Sequence, residues 1–351
     1  MSSFDFLSAP SVPIAIVEVL IGLFLLSKAA DLFVDGAVAC ARAAKLSPVV
    51  VGAVVVGFGT SAPELLVSGI AAFTGESVDK ETGDITNGLD VALGNIVGSN
   101  VANITLVLGV AALVVPLLVS RDVMVREAPI SLAAVSLFAF FTIGGLVLWE
   151  GVVMLVLLVA ILSWIIRGGK EDSVEEFEVG EGRSVAQSLG VTLLGLTGTV
   201  IGAQLMVWGA QGLAAAVGLS GGFVGFTLIA IGTSLPELVT AVAAARKGET
   251  ELILGNLLGS NMFNSLAVGG VIAIVGAGQF SDRLTAEYGV VAMVVVAVVT
   301  WVFMVTRRKI TRLEAGILLS AYVFVVLLIS DLSIGDLSIG GSIREALSSL
   351  A

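Results

Sequence analysis

Two near-copies of one polar motif, GTSAPE from Gly59 to Glu64 and GTSLPE from Gly232 to Glu237, interrupt apolar stretches of this 351-residue chain. Thr60 and Glu64 stand one helical turn apart, as do Thr233 and Glu237, so a hydroxyl and a carboxylate share a helix face in each copy. Pro63 and Pro236 lack an N–H and crowd the carbonyl four residues earlier, which frees backbone oxygens near Gly59 and Gly232 to act as cation ligands. A second pair of motifs follows, GNIVGSNVAN from Gly94 to Asn103 and GNLLGSNMFN from Gly255 to Asn264; here Ser99 with Asn103, and Ser260 with Asn264, repeat the one-turn spacing. Every one of these groups offers an oxygen. Calcium and sodium choose such sets, while the absence of His and the presence of a single cysteine, Cys40, argue against zinc or copper.

The elements that must hold these residues are membrane spans. The mean hydropathy is +1.08, 57% of residues are hydrophobic and 13% are charged, which leaves too little polar surface to cover a water-soluble domain of this size. Taking roughly 20 apolar residues per crossing, ten spans are expected near 12–38, 47–74, 89–118, 126–146, 147–167, 187–214, 218–245, 251–278, 286–306 and 312–330. A first repeat thus occupies 1–167 and a second 187–330, joined by an acidic, solvated connector over 168–186 that carries Glu171, Asp172, Glu175, Glu176, Glu178 and Glu181; a tail runs from 331 to 351. The opening MSSFDFLSAP has no basic region, so the first span is expected to serve as its own insertion signal. Placing both termini outside puts Arg42, Lys45, Arg121, Arg126, Arg167, Lys170, Arg183, Arg246, Lys247, Arg307, Arg308, Lys309 and Arg312 in the cytoplasm, with Lys80, Arg283 and Arg344 opposite and Lys28 within or near the end of the first span. The expected location is the cell membrane.

The halves are copies. At a separation of 173 positions, Gly22, Ala30, Val34, Gly36, Ala37, Leu46, Ser47 and Gly52 match Gly195, Ala203, Val207, Gly209, Ala210, Leu219, Ser220 and Gly225, leading into the first motif pair. The separation falls to 161 at the second pair (Gly94 to Gly255), so the first half has 12 extra residues, best placed in the polar Thr74 to Asp90 loop. Five spans per half is an odd number, so the copies must cross in opposite senses. The basic residues agree: Arg42 and Lys45 precede the Gly59 span, whereas Arg246 and Lys247 follow the Gly232 span. Inverted repeats with broken helices meeting near the midplane are a recurring plan of secondary transporters.

Charge balance sharpens the chemistry. An ionised acid at the bilayer centre costs about 2.5 to 3.5 kcal/mol on insertion scales. Two carboxylates carry −2, which one calcium balances, and sodium ions or protons could replace it on the same oxygens. An antiporter requires that competition; a simple pore does not.

The paired GTSxPE and GNxxGSN motifs, their inverted ten-span setting and the ADLFVDGA segment at Ala30 to Ala37 closely resemble the cation/calcium exchanger superfamily, and its sodium/calcium exchanger branch in particular. The resemblance covers nearly the whole chain. It implies an all-α polytopic protein in which Glu64 and Glu237, with backbone oxygens of Thr60 and Thr233, bind calcium. It also implies flanking sodium sites from Ser61, Ser99, Ser234, Ser260, Asn103, Asn264 and the backbone near Gly57 and Ala230, with the first helix of each half sliding as a gate. Where many sodium/calcium exchangers have Asp in the second repeat, this chain has Asn264, which puts the number of sodium ions and the charge moved per cycle in question.

The expected function is therefore calcium/sodium antiport by alternating access, with the bilayer and the two ions as partners and neither cofactor nor nucleic acid. Proton/calcium antiport and a cation channel are the other readings. No His and no recognisable nucleophile constellation accompanies the acids, which argues against an intramembrane enzyme. Asp31 and Asp35 correspond to Gln204 and Trp208 in the second repeat, so symmetry gives them no ligand role and helix-end anchoring or an access-path role is expected.

Overall fold

A computed structural model describes residues 12–44, 47–78, 85–168, 184–216, 233–329, 333–334 and 337–338. The first half contains α1 (Val12–Ala44), α2 (Pro48–Thr60), α3 (Ala62–Thr74), α4 (Gly88–Val114), α5 (Val123–Phe141) and α6 (Leu148–Gly168). The second contains α7 (Val185–Ala216), α8 (Leu235–Lys247), α9 (Thr250–Val275), α10 (Leu284–Arg307) and α11 (Arg312–Ile329). Eight of these helices are long and apolar enough to cross a membrane, and α2 with α3, bent by 43° at Ser61, makes a ninth among the described residues. The chain is thus a helical, multi-pass membrane protein. The expected span over 218–245 is described only from Thr233 onward. Most of the acidic connector (169–183) and of the tail also lies outside the described residues, apart from the short pairing of Ser333–Ile334 with Leu337–Ser338.

Close glycine contacts fix how the halves lie. A Cβ on Gly36 would sit 2.5 Å from the Thr192 amide nitrogen, one on Gly195 would meet the Phe33 nitrogen at 2.4 Å, and one on Gly209 the Ala15 carbonyl at 2.5 Å. Later positions in α1 therefore meet earlier positions in α7, so the two copies of the same helix run antiparallel. Gly36 and Gly209 are themselves a repeat pair. By contrast α2 runs parallel to α9: a Cβ on Gly255 would sit 2.2 Å from the Val49 carbonyl and one on Gly259 2.5 Å from that of Ala53. A helix from the second position of one half beside the third of the other, running the same way, is what inversion requires.

The connections confirm the inversion. In the loop expected to hold the 12 extra residues, β1 (Glu76–Val78) pairs antiparallel with β2 (Ile85–Asn87); residues 79–84 lie outside the described residues. Asn87 Nδ2 donates to Ser281 Oγ (3.4 Å) and the Ser281 amide to Asp90 Oδ1 (2.9 Å), so this loop shares a face with the loop after α9; the Leu146 to Gly278 bridge adds the loop after α5. In the second half the same connection is a tight turn closed by Gly248 at φ 75°, and it lies beside the C-terminal part of α1: Lys247 Nζ reaches Asp35 Oδ1 at 2.6 Å and the Asp31 carbonyl at 3.1 Å. On the face away from the hairpin, β3 (Leu117–Leu118) pairs with β4 (Lys309–Ile310).

Burial separates two layers. About four fifths of α4 and α9 is buried inside the protein, against roughly a fifth to a quarter of α1 and α7. Leu20, Leu23 and Phe24 of α1 and Leu193 and Leu194 of α7 are exposed, as a lipid-facing surface should be. The two helices bearing the GNxxGSN motifs are thus the protein's centre, and their polar side chains are enclosed by the helices around them.

Candidate functional site

The site begins with a break in two helices. Ser61 (φ −82°, ψ 2°) and Ser234 (φ −88°, ψ 3°) leave helical geometry just before Pro63 and Pro236. Beyond the break the backbone ladder resumes with Leu65 N–H to the Ser61 carbonyl (3.1 Å) and Leu238 N–H to that of Ser234 (3.0 Å). Thr60 and Thr233 directly precede those breaks.

Ten of the polar residues expected from the sequence, Thr60, Ser61, Glu64, Ser99, Asn103, Thr233, Ser234, Glu237, Ser260 and Asn264, are all buried. Hydrogen bonds knit them across the repeats. Ser99 Oγ donates to Glu64 Oε1 at 3.3 Å, and Ser234 Oγ lies 3.5 Å from Ser99 Oγ. Thr60 Oγ1 and Ser260 Oγ are 3.3 Å apart, and Ser260 Oγ donates to the Gly57 carbonyl at 3.3 Å. Asn103 Nδ2 donates to Asn261 Oδ1 at 3.1 Å. Ala230 lies outside the described residues.

Sequence reasoning missed Asn95 and Asn256. Asn95 Oδ1 accepts Thr233 Oγ1 at 3.3 Å, and Asn256 Oδ1 accepts Thr60 Oγ1 at 3.2 Å, the same pairing with the repeats exchanged. A signal was present: each Asn opens a run of polar residues at four-residue spacing, Asn95-Ser99-Asn103 and Asn256-Ser260-Asn264, along one face. Also missed were the wider, π-type turns that begin at the two site asparagines, Asn103–Val107 and Asn264–Val268. Such single widened turns rotate the side chains that follow and recur at functional sites.

What remains is an excess of acceptors. Among the described residues no hydrogen-bond partner reaches Glu64 Oε2, either oxygen of Glu237, Ser61 Oγ, Asn103 Oδ1 or Asn264 Oδ1, all buried. Buried polar atoms are paired in the great majority of proteins, because an unpaired one costs about 1 to 3 kcal/mol, and more for a charged group. Six such oxygens, contributed by both repeats and two of the side chains acidic, are of the kind that hard cations choose. The departure at Asn264 is visible in the geometry too: both its side-chain polar atoms lack partners, whereas its repeat mate Asn103 uses its Nδ2.

Asp31 and Asp35 stand apart from this cluster. The Lys247 contacts make them a tie between α1 and the end of α8, in keeping with helix anchoring.

A family model described as sodium/calcium exchanger protein matches residues 14–167 and again 187–330. The chain is 30% identical over 359 residues to the sodium/calcium exchanger MaX1 of Methanosarcina acetivorans, covering 88% of this chain and 97% of that one. It is 34% identical over 307 residues to the uncharacterized membrane protein MJ0091 of Methanocaldococcus jannaschii, covering 88% and 95%. A structure of the sodium-calcium exchanger NCX_Mj, soaked with 10 mM Na+ and zero Ca2+, superimposes with a TM-score of 0.77 at 31% identity, covering 90% of this chain and 98% of that one.

Proposed function

The chain belongs to the sodium/calcium exchanger family, and from that premise we propose that it carries calcium across the membrane in one direction against sodium in the other. The single observation that carries this reading is the buried cluster of oxygens contributed by both repeats that have no partner among the described residues, with Glu64 and Glu237 as the acids among them. Calcium is held by those two carboxylates and by the carbonyls of Thr60 and Thr233. Sodium ions take the flanking oxygens of Ser61, Ser99, Ser234, Ser260, Asn103 and Asn264, with the backbone near Gly57 and Ala230. Because sodium on the flanking oxygens is balanced by the same two carboxylate charges that hold calcium, the two loads compete and the site exchanges one for the other. NCX_Mj structures soaked with sodium, calcium or strontium support the ion pair chosen here.

Alternating access follows from the fold's inversion, in which the two halves exchange conformations around a fixed midplane site. The peripheral pair α1 and α7, joined to each other through glycines and covering the central helices, is the element that slides. Both termini face outward and the connector between the halves lies in the cytoplasm, by the distribution of basic residues.

Proteoliposomes loaded with sodium and diluted into calcium test the reading. Calcium uptake that collapses when the sodium gradient is dissipated is expected. Uptake driven by a pH gradient without sodium would assign the coupling to protons, and calcium current without any counter-ion would make the protein a channel.

A further inference from the structure

We propose that Asn95 and Asn256 are positioning residues for calcium, each holding the threonine of the opposite repeat so that its backbone carbonyl faces the shared cation. This rests on the reading above, in which the Thr60 and Thr233 carbonyls are calcium ligands. Both threonines directly precede the break in their helices at Ser61 and Ser234, so the direction of their carbonyls depends on how the residue is held. In both repeats an amide from the other half holds the side chain: Thr233 Oγ1 donates to Asn95 Oδ1 at 3.3 Å and Thr60 Oγ1 to Asn256 Oδ1 at 3.2 Å, the latter shared with the Val56 carbonyl at 3.1 Å.

The amide of Asn95 is itself oriented. Its Nδ2 donates to Ser68 Oγ at 2.9 Å and to the Glu64 backbone carbonyl at 3.4 Å, which leaves Oδ1 as the end that meets Thr233. Asn95 therefore ties the helix bearing one acid to the threonine beside the other. Asn256 has no such anchor: its Nδ2 has no partner among the described residues, and the Thr60 hydroxyl it meets also reaches the Val56 carbonyl at 3.1 Å and Ser260 Oγ at 3.3 Å. The two clamps are mirror images in their Asn-to-Thr bond and differ in their support. Asn95 is consequently the stiffer, and its loss is expected to cost more.

A bond within the fold that merely added stability would not favour one ion over another. The clamp aims calcium ligands, so it acts on calcium affinity and spares the maximal rate. The test is a double-mutant cycle on the KM for calcium in sodium-loaded proteoliposomes. Asn95→Ala and Thr233→Val are each expected to raise that KM about three- to tenfold, the equivalent of one hydrogen bond, with the maximal rate changed less than twofold. Combined, they should be no worse than either alone, whereas Asn95→Ala with Thr60→Val should multiply. Thr233→Ser, which keeps the hydroxyl, should raise the KM less than Thr233→Val does. If Asn95→Ala does not fold, the isosteric Thr233→Val tests the same bond. A KM within twofold of the parent for either variant, or a multiplicative Asn95 and Thr233 pair, overturns the clamp alone; absence of calcium uptake by the parent overturns the function and the clamp with it.

Discussion

Glu64 and Glu237 are fully buried, yet their surroundings differ. Ser99 donates to Glu64, whereas Glu237 has no hydrogen-bond partner among the described residues. Glu64→Gln and Glu237→Gln are each expected to lower exchange by more than the roughly 10- to 100-fold that loss of a ligand's supporting partner costs, as read by initial calcium uptake. Ser99→Ala removes only a donor to one carboxylate and should weaken calcium two- to tenfold or so, which a calcium titration of uptake would show. These acids were plain in the sequence because a carboxylate inside an apolar span has few explanations. The asparagines at 95 and 256 were not, because an amide in a helix declares its role only through its partner, and here that partner lies 138 residues away for Asn95 (to Thr233) and 196 for Asn256 (to Thr60).

Among the helices, the duplicated motifs made most boundaries legible. The break at Ser61 follows from Pro63, and the ends of α3 at Thr74 and α8 at Lys247 keep the 173-residue separation that the motifs announce. The first span runs on to Ala44, six residues beyond the expected 38. Arg42 and Lys45 mark the end of the apolar stretch there, but the helix continues past it because its backbone hydrogen bonds are internal and do not depend on side-chain hydropathy. The widened turns at Asn103 and Asn264 depend on packing between helices and leave no mark in composition. The Gly255 contact with Val49 makes an equally direct prediction: Gly255→Ala puts a Cβ against a backbone carbonyl, so the unfolding temperature should fall by the equivalent of about 1 to 3 kcal/mol. Gly316→Ala, which meets nothing within 4 Å, should leave it unchanged or raised.

Across the whole molecule, inversion is the property that makes one site out of two motifs. It was legible from an odd number of spans per half and from where the basic residues fall, and the antiparallel α1 and α7 carry it into the structure. Sidedness is open to direct measurement. In a Cys40→Ser background, a cysteine at Gln279 should react with an impermeant maleimide added to intact cells, and one at Thr311 only after the membrane is opened; the reverse pattern would invert the assigned orientation. The central claim is that the acids of the two repeats form a single calcium site. Calcium titration of the purified protein by calorimetry tests it most directly: one calcium bound per chain in the parent, and none at the same concentrations in Glu64→Gln or in Glu237→Gln. Two calcium ions per chain, with one surviving in each single variant, would mean two separate half-sites and would contradict the account.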